Sequence, residues 1–283
     1  MKPAPFAYKK PRTLDEAIAL LGENPDARIL AGGQSLMATL NMRLSAPSLL
    51  IDINGIEGLG EIALKDGAQN GVIEIGALAR HVQAERSETI ATHAPLIACA
   101  MPTIAHPAIR TRGTLGGSIA FADPAAELPA CLLALDGEVD AQGPKGKRTI
   151  KAGDYFQGLY ETALGPQEIL TAIRLPAANK DTRVGFAELA RRHGDYAIVG
   201  LAASARADGK GLKDVRLAYF GVGATPLRPL KSEAALSRGD IDAAVAALDL
   251  DPHDDIQATA AVKKHLAGVL LRRVAAQLME QRA

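Results

Sequence analysis

Two glycine-rich segments are the clearest candidates for chemistry in this 283-residue sequence. The first reads Leu30-Ala-Gly-Gly-Gln-Ser35, follows a short apolar run that predicts a strand, and opens an irregular stretch. Paired glycines let backbone N–H groups converge on an anion without obstruction by Cβ atoms, and Gln34 and Ser35 would add side-chain donors. Taken alone, the segment is equally consistent with a plain turn from a strand into a helix, because short glycine motifs are weakly specific.

The second segment reads Arg110-Thr-Arg-Gly-Thr-Leu-Gly-Gly-Ser118 and repeats this chemistry further along the chain. It combines glycines with the hydroxyls of Thr114 and Ser118 and the positive charge of two arginines. Asp123, just before Pro124, is a candidate acceptor for sugar hydroxyls, although an aspartate there is also common in turns and helix caps. Two such loops could close on one diphosphate from both sides.

Other catalytic patterns are missing from the sequence. It contains neither Gly-x-x-x-x-Gly-Lys-Ser/Thr nor Gly-x-Gly-x-x-Gly, and Gly221-Val-Gly-Ala-Thr-Pro226 departs from the second pattern at its proline. The Gly-x-Ser-x-Gly elbow of serine hydrolases is absent. Six histidines are scattered without a His-Glu-x-x-His pattern. We therefore expect no catalytic side chain and no metal site in this chain.

Composition excludes further classes of protein. Lys plus Arg and Asp plus Glu both number 32, which gives a net charge of zero, and aromatic residues are 4% with no Trp. Nucleic-acid binding would need a basic excess or stacking aromatics, so we expect no nucleic-acid partner. Cys99 and Cys131 are too few for a zinc site or an iron–sulfur cluster, and both lie in apolar runs typical of core residues. Any redox metal must therefore belong to another chain.

The sequence shows no export or membrane signal. Its beginning lacks a long apolar segment, and no stretch reaches about 18 consecutive apolar residues. We therefore expect a cytoplasmic protein without an integral membrane segment.

Hydrophobic periodicity predicts both helices and strands before residue 176. Thr13 and Glu16 form a capping-box pattern before an amphipathic helix at 14–22. The stretch 102–124 carries three prolines and clustered glycines, which predict irregular structure. The other predicted elements are strands at 28–31, 49–53, 72–75 and 168–175, helical pieces over 77–101, a helix at 125–135, and a hairpin of 138–141 with 147–151.

A polar, aperiodic stretch at 176–182 marks the predicted domain boundary. Beyond it, apolar runs at 184–190, 197–207 and 215–222 predict an antiparallel meander. The remainder is mostly helical, and the final helix has a broad apolar face with Lys263 outside it. That face comprises Val262, Leu266, Val269, Leu270, Val274 and Leu278.

Four segments together carry a family resemblance: Ala31–Ser35, Arg112–Ser118, Ala122-Asp-Pro-Ala-Ala-Glu-Leu-Pro129 and Arg191-Arg-His-Gly-Asp-Tyr-Ala197. They resemble the FAD-binding medium subunit of the molybdenum hydroxylases, the family of aerobic carbon monoxide dehydrogenase and xanthine dehydrogenase. The resemblance runs along essentially the whole chain in order and spacing.

The resemblance implies an α+β fold in two parts. Residues 1–176 would form a FAD-binding region of the vanillyl-alcohol-oxidase (PCMH) type, with subdomains at about 1–56 and 57–176. Residues 177–283 would form a C-terminal domain with a three-stranded antiparallel sheet and a helical bundle. The predicted meander followed by helices agrees with this arrangement.

The resemblance also implies which residues hold FAD. The two glycine loops would hold its diphosphate, Asp123 would lie near the adenosine half, and Leu115 and Tyr196 would lie near the isoalloxazine. Gln34 stands where other branches have His or Thr, and Glu188 stands where some relatives carry Lys near the flavin. The implied cofactor-binding residues are Leu30, Ala31, Gly32, Gly33, Gln34, Ser35, Leu36, Thr103, Ile104, Gly113, Thr114, Leu115, Gly116, Gly117, Ser118, Ala122, Asp123, Ile169, Leu170 and Tyr196.

In function, the resemblance implies one subunit of a larger enzyme. Electrons from a large molybdopterin-binding subunit would pass through a small [2Fe-2S] subunit to FAD here and on to an external acceptor, in a dimer of heterotrimers. A stand-alone flavin oxidase of the related fold and a flavin-free assembly subunit are the alternatives. The first would need its own substrate domain, for which 177–283 is small, and the intact glycine pairs argue against the second. The holoenzyme's substrate (carbon monoxide, an aldehyde, a purine or an N-heteroaromatic) stays open.

Overall fold

The computed structural model describes residues 2–66, 71–209 and 211–280. The chain begins with a small parallel sheet whose strands follow the order β1-β3-β2. Its elements are β1 (Ala7–Lys9), α1 (Leu14–Glu23), β2 (Arg28–Leu30), α2 (Leu36–Asn41) and β3 (Leu49–Asp52).

The first helix forms for the reasons that the sequence suggested. The Oγ1 atom of Thr13 accepts a hydrogen bond from the Glu16 amide at 3.2 Å, and Ala17, Ile18 and Leu21 are buried. The Glu16 carboxylate reaches back to the amide of Arg12, at 2.8 Å, one residue earlier than a standard capping box requires. The predicted strands at 28–31 and 49–53 are confirmed, each one residue shorter.

A larger antiparallel sheet follows, in the order β4-β5-β10-β6-β7, with short helices packed against it. The predicted hairpin, the helix near 125–135 and the strand near 168–175 are confirmed. The elements are β4 (Ile62–Lys65), β5 (Val72–Gly76), α3 (His81–Glu85), α4 (Glu88–His93), α5 (Pro95–Ala100), α6 (Pro107–Arg110), α7 (Leu115–Phe121), α8 (Glu127–Ala134), β6 (Glu138–Gly143), β7 (Gly146–Lys151), α9 (Ala152–Tyr155), β8 (Phe156–Gly158), β9 (Glu161–Thr162) and β10 (Ile169–Pro176).

The prediction that 102–124 is irregular was wrong, because α6 and α7 lie within it. Pro107 occupies the first turn of α6, where its missing N–H costs nothing. Thr114 caps α7 by accepting a hydrogen bond from the Gly117 amide at 3.0 Å. Gly116 lets this helix lie against the large sheet, since a Cβ there would meet the Cα of Ala77 at 2.5 Å. Tertiary packing therefore overrides the weak helix propensity of the glycines.

The C-terminal part contains the predicted meander and helices. Strands β11 (Thr182–Ala190), β12 (Ala197–Asp208) and β13 (Gly211–Phe220) pair antiparallel in chain order, and α10 (Leu230–Ser237), α11 (Ile241–Ala246) and α12 (Ala260–Glu280) follow.

The apolar face predicted for the last helix needs correction. Val262 is 46% exposed, whereas Lys263 is buried. The Lys263 ammonium donates to the Asp255 carboxylate at 2.7 Å and to the Gly221 carbonyl at 3.3 Å, so its charge is paired beneath the helix. The buried apolar residues of α12 are Ala267, Leu270, Leu271, Val274, Ala275 and Leu278.

The two parts of the chain share a continuous core. Helix α8 packs against β12 and β13, and the Ser204 hydroxyl donates to the Ala134 carbonyl at 2.6 Å. The Gly221 amide donates to the Pro124 carbonyl at 2.8 Å. One face of the C-terminal sheet therefore covers the large sheet's helices, and its other face packs under α10 and α12. Residues of that sheet that join the first core include Val184, Ala202, Ala218 and Phe220.

Candidate cofactor site

The first glycine loop connects β2 to α2 and leaves donors free. Gly33 has a φ of +74°, a conformation that glycine adopts without strain. Within the described residues, no protein acceptor takes the amide N–H groups of Gly33, Gln34 and Ser35. The Gln34 side chain folds back to donate to the Gly32 carbonyl at 3.2 Å. The loop thus opens a helix, as the alternative interpretation held, and still offers unpaired amides to an anion.

The second glycine loop differs, because most of its amides are already paired within the described residues, the Thr114 amide excepted. Four consecutive donors bond within the chain: Leu115 to the Ala79 carbonyl (2.9 Å), Gly116 to the Ala77 carbonyl (3.1 Å), Gly117 to Thr114 Oγ1 (3.0 Å) and Ser118 to the Thr114 carbonyl (3.1 Å). The first loop therefore leaves more backbone donors unpaired than the second, in which the described residues give no acceptor for the Thr114 amide. The second loop contributes a surface of small residues and the Ser118 hydroxyl.

The structure brings the two loops into direct contact. A Cβ at Gly32 would lie 2.5 Å from the Arg112 carbonyl oxygen and 2.8 Å from the Cα of Gly113. A Cβ at Gly117 would lie 3.8 Å from the Cβ of Ala31. Segments more than 70 residues apart in sequence thus meet where only glycine permits such close approach.

Sequence reasoning missed a chain of polar side chains beside the loops. Tyr8 donates through its hydroxyl to Asp52, and Asp52 Oδ1 accepts from Asn54 Nδ2 at 2.6 Å. Asn54 Oδ1 accepts from an Arg80 guanidinium nitrogen at 2.5 Å, and Arg80 also donates to the Arg112 carbonyl. The only sequence signal was a polar cluster directly after a buried strand at 49–52.

The charged groups of this hydrogen-bonded network are stabilised unequally. Burial would raise the pKa of Asp52, but hydrogen bonds from Tyr8 and Asn54 outweigh it and hold that pKa below its ordinary value. Burial lowers the pKa of Arg80, and the neighbouring positive charge of Arg112 lowers it further. A negative group between the loops would relieve this repulsion.

A second cluster, of acids and tyrosines, lies near the junction with the C-terminal part. Asp123 Oδ1 accepts from the Ala125 amide at 2.9 Å, and Tyr160 approaches its other oxygen at 3.5 Å. The Tyr160 ring packs edge-on against Phe121 at 5.2 Å between centroids. Burial raises the pKa of Asp123. The Asx-type turn at Asp123 is the common alternative noted from the sequence, and it leaves the second oxygen facing tyrosine.

Tyr196 stands over this cluster with its side chain 56% exposed. Partial burial raises its pKa, and the charges of Asp123 and Glu127 raise it further. Tyr196 therefore lies beside both carboxylates while keeping a free face, which suits contact with a planar ligand.

Glu127 and Glu188 form the buried acidic part of the cluster. Burial raises the pKa of Glu127 to about 8, with the charge of Glu188 adding to the effect. Burial raises the pKa of Glu188 to about 7, partly offset by a hydrogen bond with Thr103. The Oε2 atom of Glu188 is buried and has no partner in the described part of the chain.

Several predicted site residues have buried side chains. Leu115 is 1% exposed and packs among core residues that include Ile75 and Ile97, so its side chain is not available to a flavin ring in this structure. Its place in the capped first turn of α7 gives it a packing role instead. The other predicted residues whose side chains lie in the core are Ile104, Ala122, Ile169 and Leu170.

The first loop and its neighbours fit an anionic diphosphate. Unpaired amides, glycines without Cβ atoms and the guanidinium group of Arg80 meet there, and the charge of Arg112 is close enough to act on that guanidinium. No group of three or more His, Cys, Asp or Glu side chains able to hold a metal ion occurs among the described residues. Cys131 is buried as expected, whereas Cys99 is exposed, which corrects its predicted place in the core.

Comparison with known proteins defines the class. Residues 4–178 match the family of FAD binding domains in molybdopterin dehydrogenase, and residues 185–278 match the CO dehydrogenase flavoprotein C-terminal domain. The chain belongs to this family of molybdenum hydroxylase FAD-binding subunits and is an oxidoreductase subunit whose cofactor is FAD. The predicted family, fold class and cofactor are confirmed.

Individual relatives match over nearly their whole length. The chain is 38% identical to the 6-hydroxypseudooxynicotine dehydrogenase complex subunit alpha of Paenarthrobacter nicotinovorans, covering 99% of this chain and 97% of the relative. It is 34% identical to the carbon monoxide dehydrogenase medium chain of Hydrogenophaga pseudoflava, covering 96% of each.

Solved structures agree with this assignment. A carbon monoxide dehydrogenase structure from H. pseudoflava superposes with a TM-score of 0.95 at 35% identity, covering 100% of both chains. Quinoline 2-oxidoreductase from Pseudomonas putida 86 gives 0.93 at 32% identity, covering 99% of both. No helix in the residues that the structure describes is long and apolar enough to cross a membrane.

Proposed function

We propose that this chain is the electron-transfer subunit of a three-subunit molybdenum hydroxylase and holds FAD between its two glycine loops. Electrons reach the flavin from a small [2Fe-2S] subunit, which receives them from a large molybdopterin-binding subunit, and leave to an external acceptor. The observation that carries the proposal is the contact of Gly32 with the Arg112 carbonyl, which also accepts from the Arg80 guanidinium and so joins unpaired amides and positive charge in one place.

Each loop has a distinct part in this proposal. The amides of Gly33, Gln34 and Ser35 donate to the diphosphate, and Ser118 adds a hydroxyl from the other side. Asp123 faces the adenosine half, where its second carboxylate oxygen accepts from ribose hydroxyls. FAD itself supplies the electron storage that no side chain here provides. The protein positions it and offsets its charge.

The two parts of the chain share the work. Residues 1–176 bind FAD, and 177–283 cover it and carry Tyr196 to the exposed face of the acidic cluster. The continuous core around α8 holds the two parts in register. Complete complexes would then form as dimers of heterotrimers through surfaces outside this site.

Relatives named for different substrates support a role in electron transfer rather than substrate choice. A caffeine dehydrogenase subunit from Pseudomonas sp. is 39% identical over 81% of this chain, and a glyceraldehyde dehydrogenase medium chain from Sulfolobus acidocaldarius is 35% identical over 82%. These substrates are chemically unrelated, yet the relatives share this subunit. A common task fits electron transfer.

Purification of the chain with and without its partners tests the proposal. We expect a yellow protein with flavin absorbance that co-purifies with iron–sulfur and molybdopterin-bearing chains. A folded but colourless protein would contradict the proposal and favour the assembly subunit. A yellow monomer that oxidises alcohols or amines unaided would favour the stand-alone oxidase.

A further inference from the structure

Arg80 reaches both glycine loops from outside them. It precedes α3, and backbone pairing fixes this point because the His81 amide donates to the Gly113 carbonyl at 3.0 Å. From there one guanidinium nitrogen donates to the Arg112 carbonyl and another to Asn54 Oδ1 at 2.5 Å. Two nitrogens of one planar guanidinium group therefore bond to different segments of the chain.

Asn54 passes this connection to the first loop. Its Nδ2 donates to the Ala31 carbonyl at 2.7 Å and more weakly to the Leu30 carbonyl at 3.4 Å. The same atom is held by Asp52, and the Asn54 amide also donates to Asp52 at 2.9 Å. Asn54 therefore has little freedom to turn away, and it links Arg80 to the first loop.

The guanidinium nitrogen that donates to the Arg112 carbonyl lies where the two loops are in closest contact. The Arg112 carbonyl that accepts from Arg80 is the atom that a Cβ at Gly32 would approach to 2.5 Å. Arg80 therefore spans the loops at the place where their spacing is tightest. A guanidinium can hold two acceptors in fixed directions, which an ammonium cannot do.

The positive charge of Arg80 is not neutralised by these hydrogen bonds. No carboxylate lies within ion-pair distance of Arg80 in the described ranges, and Asp52 is already bonded to Tyr8 and Asn54. Arg112 lies close enough to repel it. This link from Arg80 to both loops, the Arg80 clamp, therefore also leaves positive potential beside the unpaired amides of the first loop.

We propose that Arg80 is a positioning residue that fixes the spacing of the two glycine loops through Asn54 and the Arg112 carbonyl before FAD arrives. The inference rests on the proposed function, in which the diphosphate lies between these loops. Loops that are ordered in advance bind more tightly, because binding no longer has to restrain them.

The Arg80→Lys variant tests the clamp, because lysine keeps the positive charge but cannot hold two acceptors in fixed directions. We expect its affinity for FAD, titrated into the flavin-free full chain, to fall about tenfold, a typical effect of losing one charged hydrogen bond. Hydrogen exchange in the flavin-free chain should rise in 112–118 and at Met37 and Thr39, whose amides donate to the Gly33 and Ser35 carbonyls of the first loop. Arg238→Lys, at an exposed arginine after α10, is the matched control and should change neither.

A second variant keeps the test decisive if Arg80→Lys folds poorly. Asn54→Ala should raise exchange mainly at Met37 and Thr39, and its effect on affinity should be less than additive with Arg80→Lys, since both act through one connection. Unchanged exchange in both variants would overturn the proposal. If affinity is also unchanged in Arg80→Lys, Arg80 acts by the charge that lysine keeps, and if affinity falls, its guanidinium contacts FAD directly. Failure of the wild-type chain to bind FAD would refute the proposed function instead, while the exchange comparison would still decide on the clamp.

Discussion

Gly32 and Arg112 touch at a distance that no side chain allows: a Cβ on Gly32 would lie 2.5 Å from the Arg112 carbonyl oxygen. This contact joins a loop with unpaired amides to a loop most of whose amides are bonded within the chain. The two loops are therefore unequal partners. The first supplies donors, and the second supplies the fixed surface against which those donors are held.

Gly32→Ala should separate the loops. The added methyl group has only backbone atoms to displace, so we expect FAD affinity to fall about tenfold or more and stability to fall by about 1–3 kcal/mol. The flavin-to-protein ratio after purification and the thermal midpoint measure the two effects. Gly153→Ala is the control, because nothing lies within 4 Å of a Cβ there. Stoichiometric FAD in Gly32→Ala would contradict the arrangement.

Gly33→Val separates backbone strain from loss of the site. Gly33 and Gly58 have φ values of +74° and +80°, so valine strains both equally. A Cβ at Gly33 meets Leu30 and Met37, whereas nothing lies within 4 Å at Gly58. We expect both variants to lose stability and only Gly33→Val to lose FAD, as measured by absorbance of the purified proteins. Equal flavin content in the two would show that this loop does not hold the diphosphate.

The sequence predicted most of the periodic elements and less of the packing between them. The capped helix α1 and the meander β11–β13 carry local signals: a capping residue, alternating burial and turn glycines. Helix α7 has a capping residue in Thr114, but its glycines conceal the helix, because Gly116 is there to contact Ala77 and not to break the chain. Helices of this kind become visible only when their tertiary contacts are known.

The candidate site was predictable in part for the same reason. Glycine loops carry a motif in consecutive residues, so the sequence identified them. The hydrogen bond between Arg80 and Asn54 joins residues 26 apart in sequence. The like charges of Glu127 in α8 and Glu188 in β11 act on each other only because the fold brings these elements together. Such contacts depend on the fold and leave no pattern in one sequence. Burial of Leu115 was hidden similarly, since its motif position suggested exposure.

Stability should fall with rising pH because of Glu127 and Glu188. Their pKa values are about 8 and about 7 in the folded chain, above the ordinary 4.5, so the folded state keeps protons that the unfolded state has released. By linkage, their contribution is undiminished below pH 4.5 and is lost progressively as pH rises to about 8.

Glu127→Gln should remove much of this pH dependence. We expect the variant to be more stable than the wild type by about 2 kcal/mol at pH 9 and nearly equal to it at pH 5, because only the ionised carboxylate is penalised. Urea unfolding at both values measures the difference. Glu23→Gln, at an exposed position of α1, should leave the pH profile unchanged. A constant offset of Glu127→Gln across this range would contradict burial of a titrating group.

Tyr196→Ala should change the redox behaviour of the flavin more than its binding. Tyr196 is 56% exposed and lies near the carboxylates of Asp123 and Glu127. Removing its ring would admit water to the face that it covers and alter the environment of the isoalloxazine. We expect a shift in reduction potential of about 30 mV, equivalent to about 1.4 kcal/mol for a two-electron couple, with FAD affinity changed less than threefold.

Tyr196→Phe distinguishes the ring from the hydroxyl in this prediction. If the aromatic face acts by covering the flavin, phenylalanine restores the wild-type potential, because it presents the same surface without the hydroxyl. If the hydroxyl acts through the neighbouring carboxylates, phenylalanine resembles alanine, and the shift varies with pH near the titration of Glu127 at about 8. Spectroelectrochemical titration at several pH values decides between these outcomes. Loss of FAD with an unchanged potential in the remaining holoprotein would place Tyr196 in binding and remove it from the flavin ring.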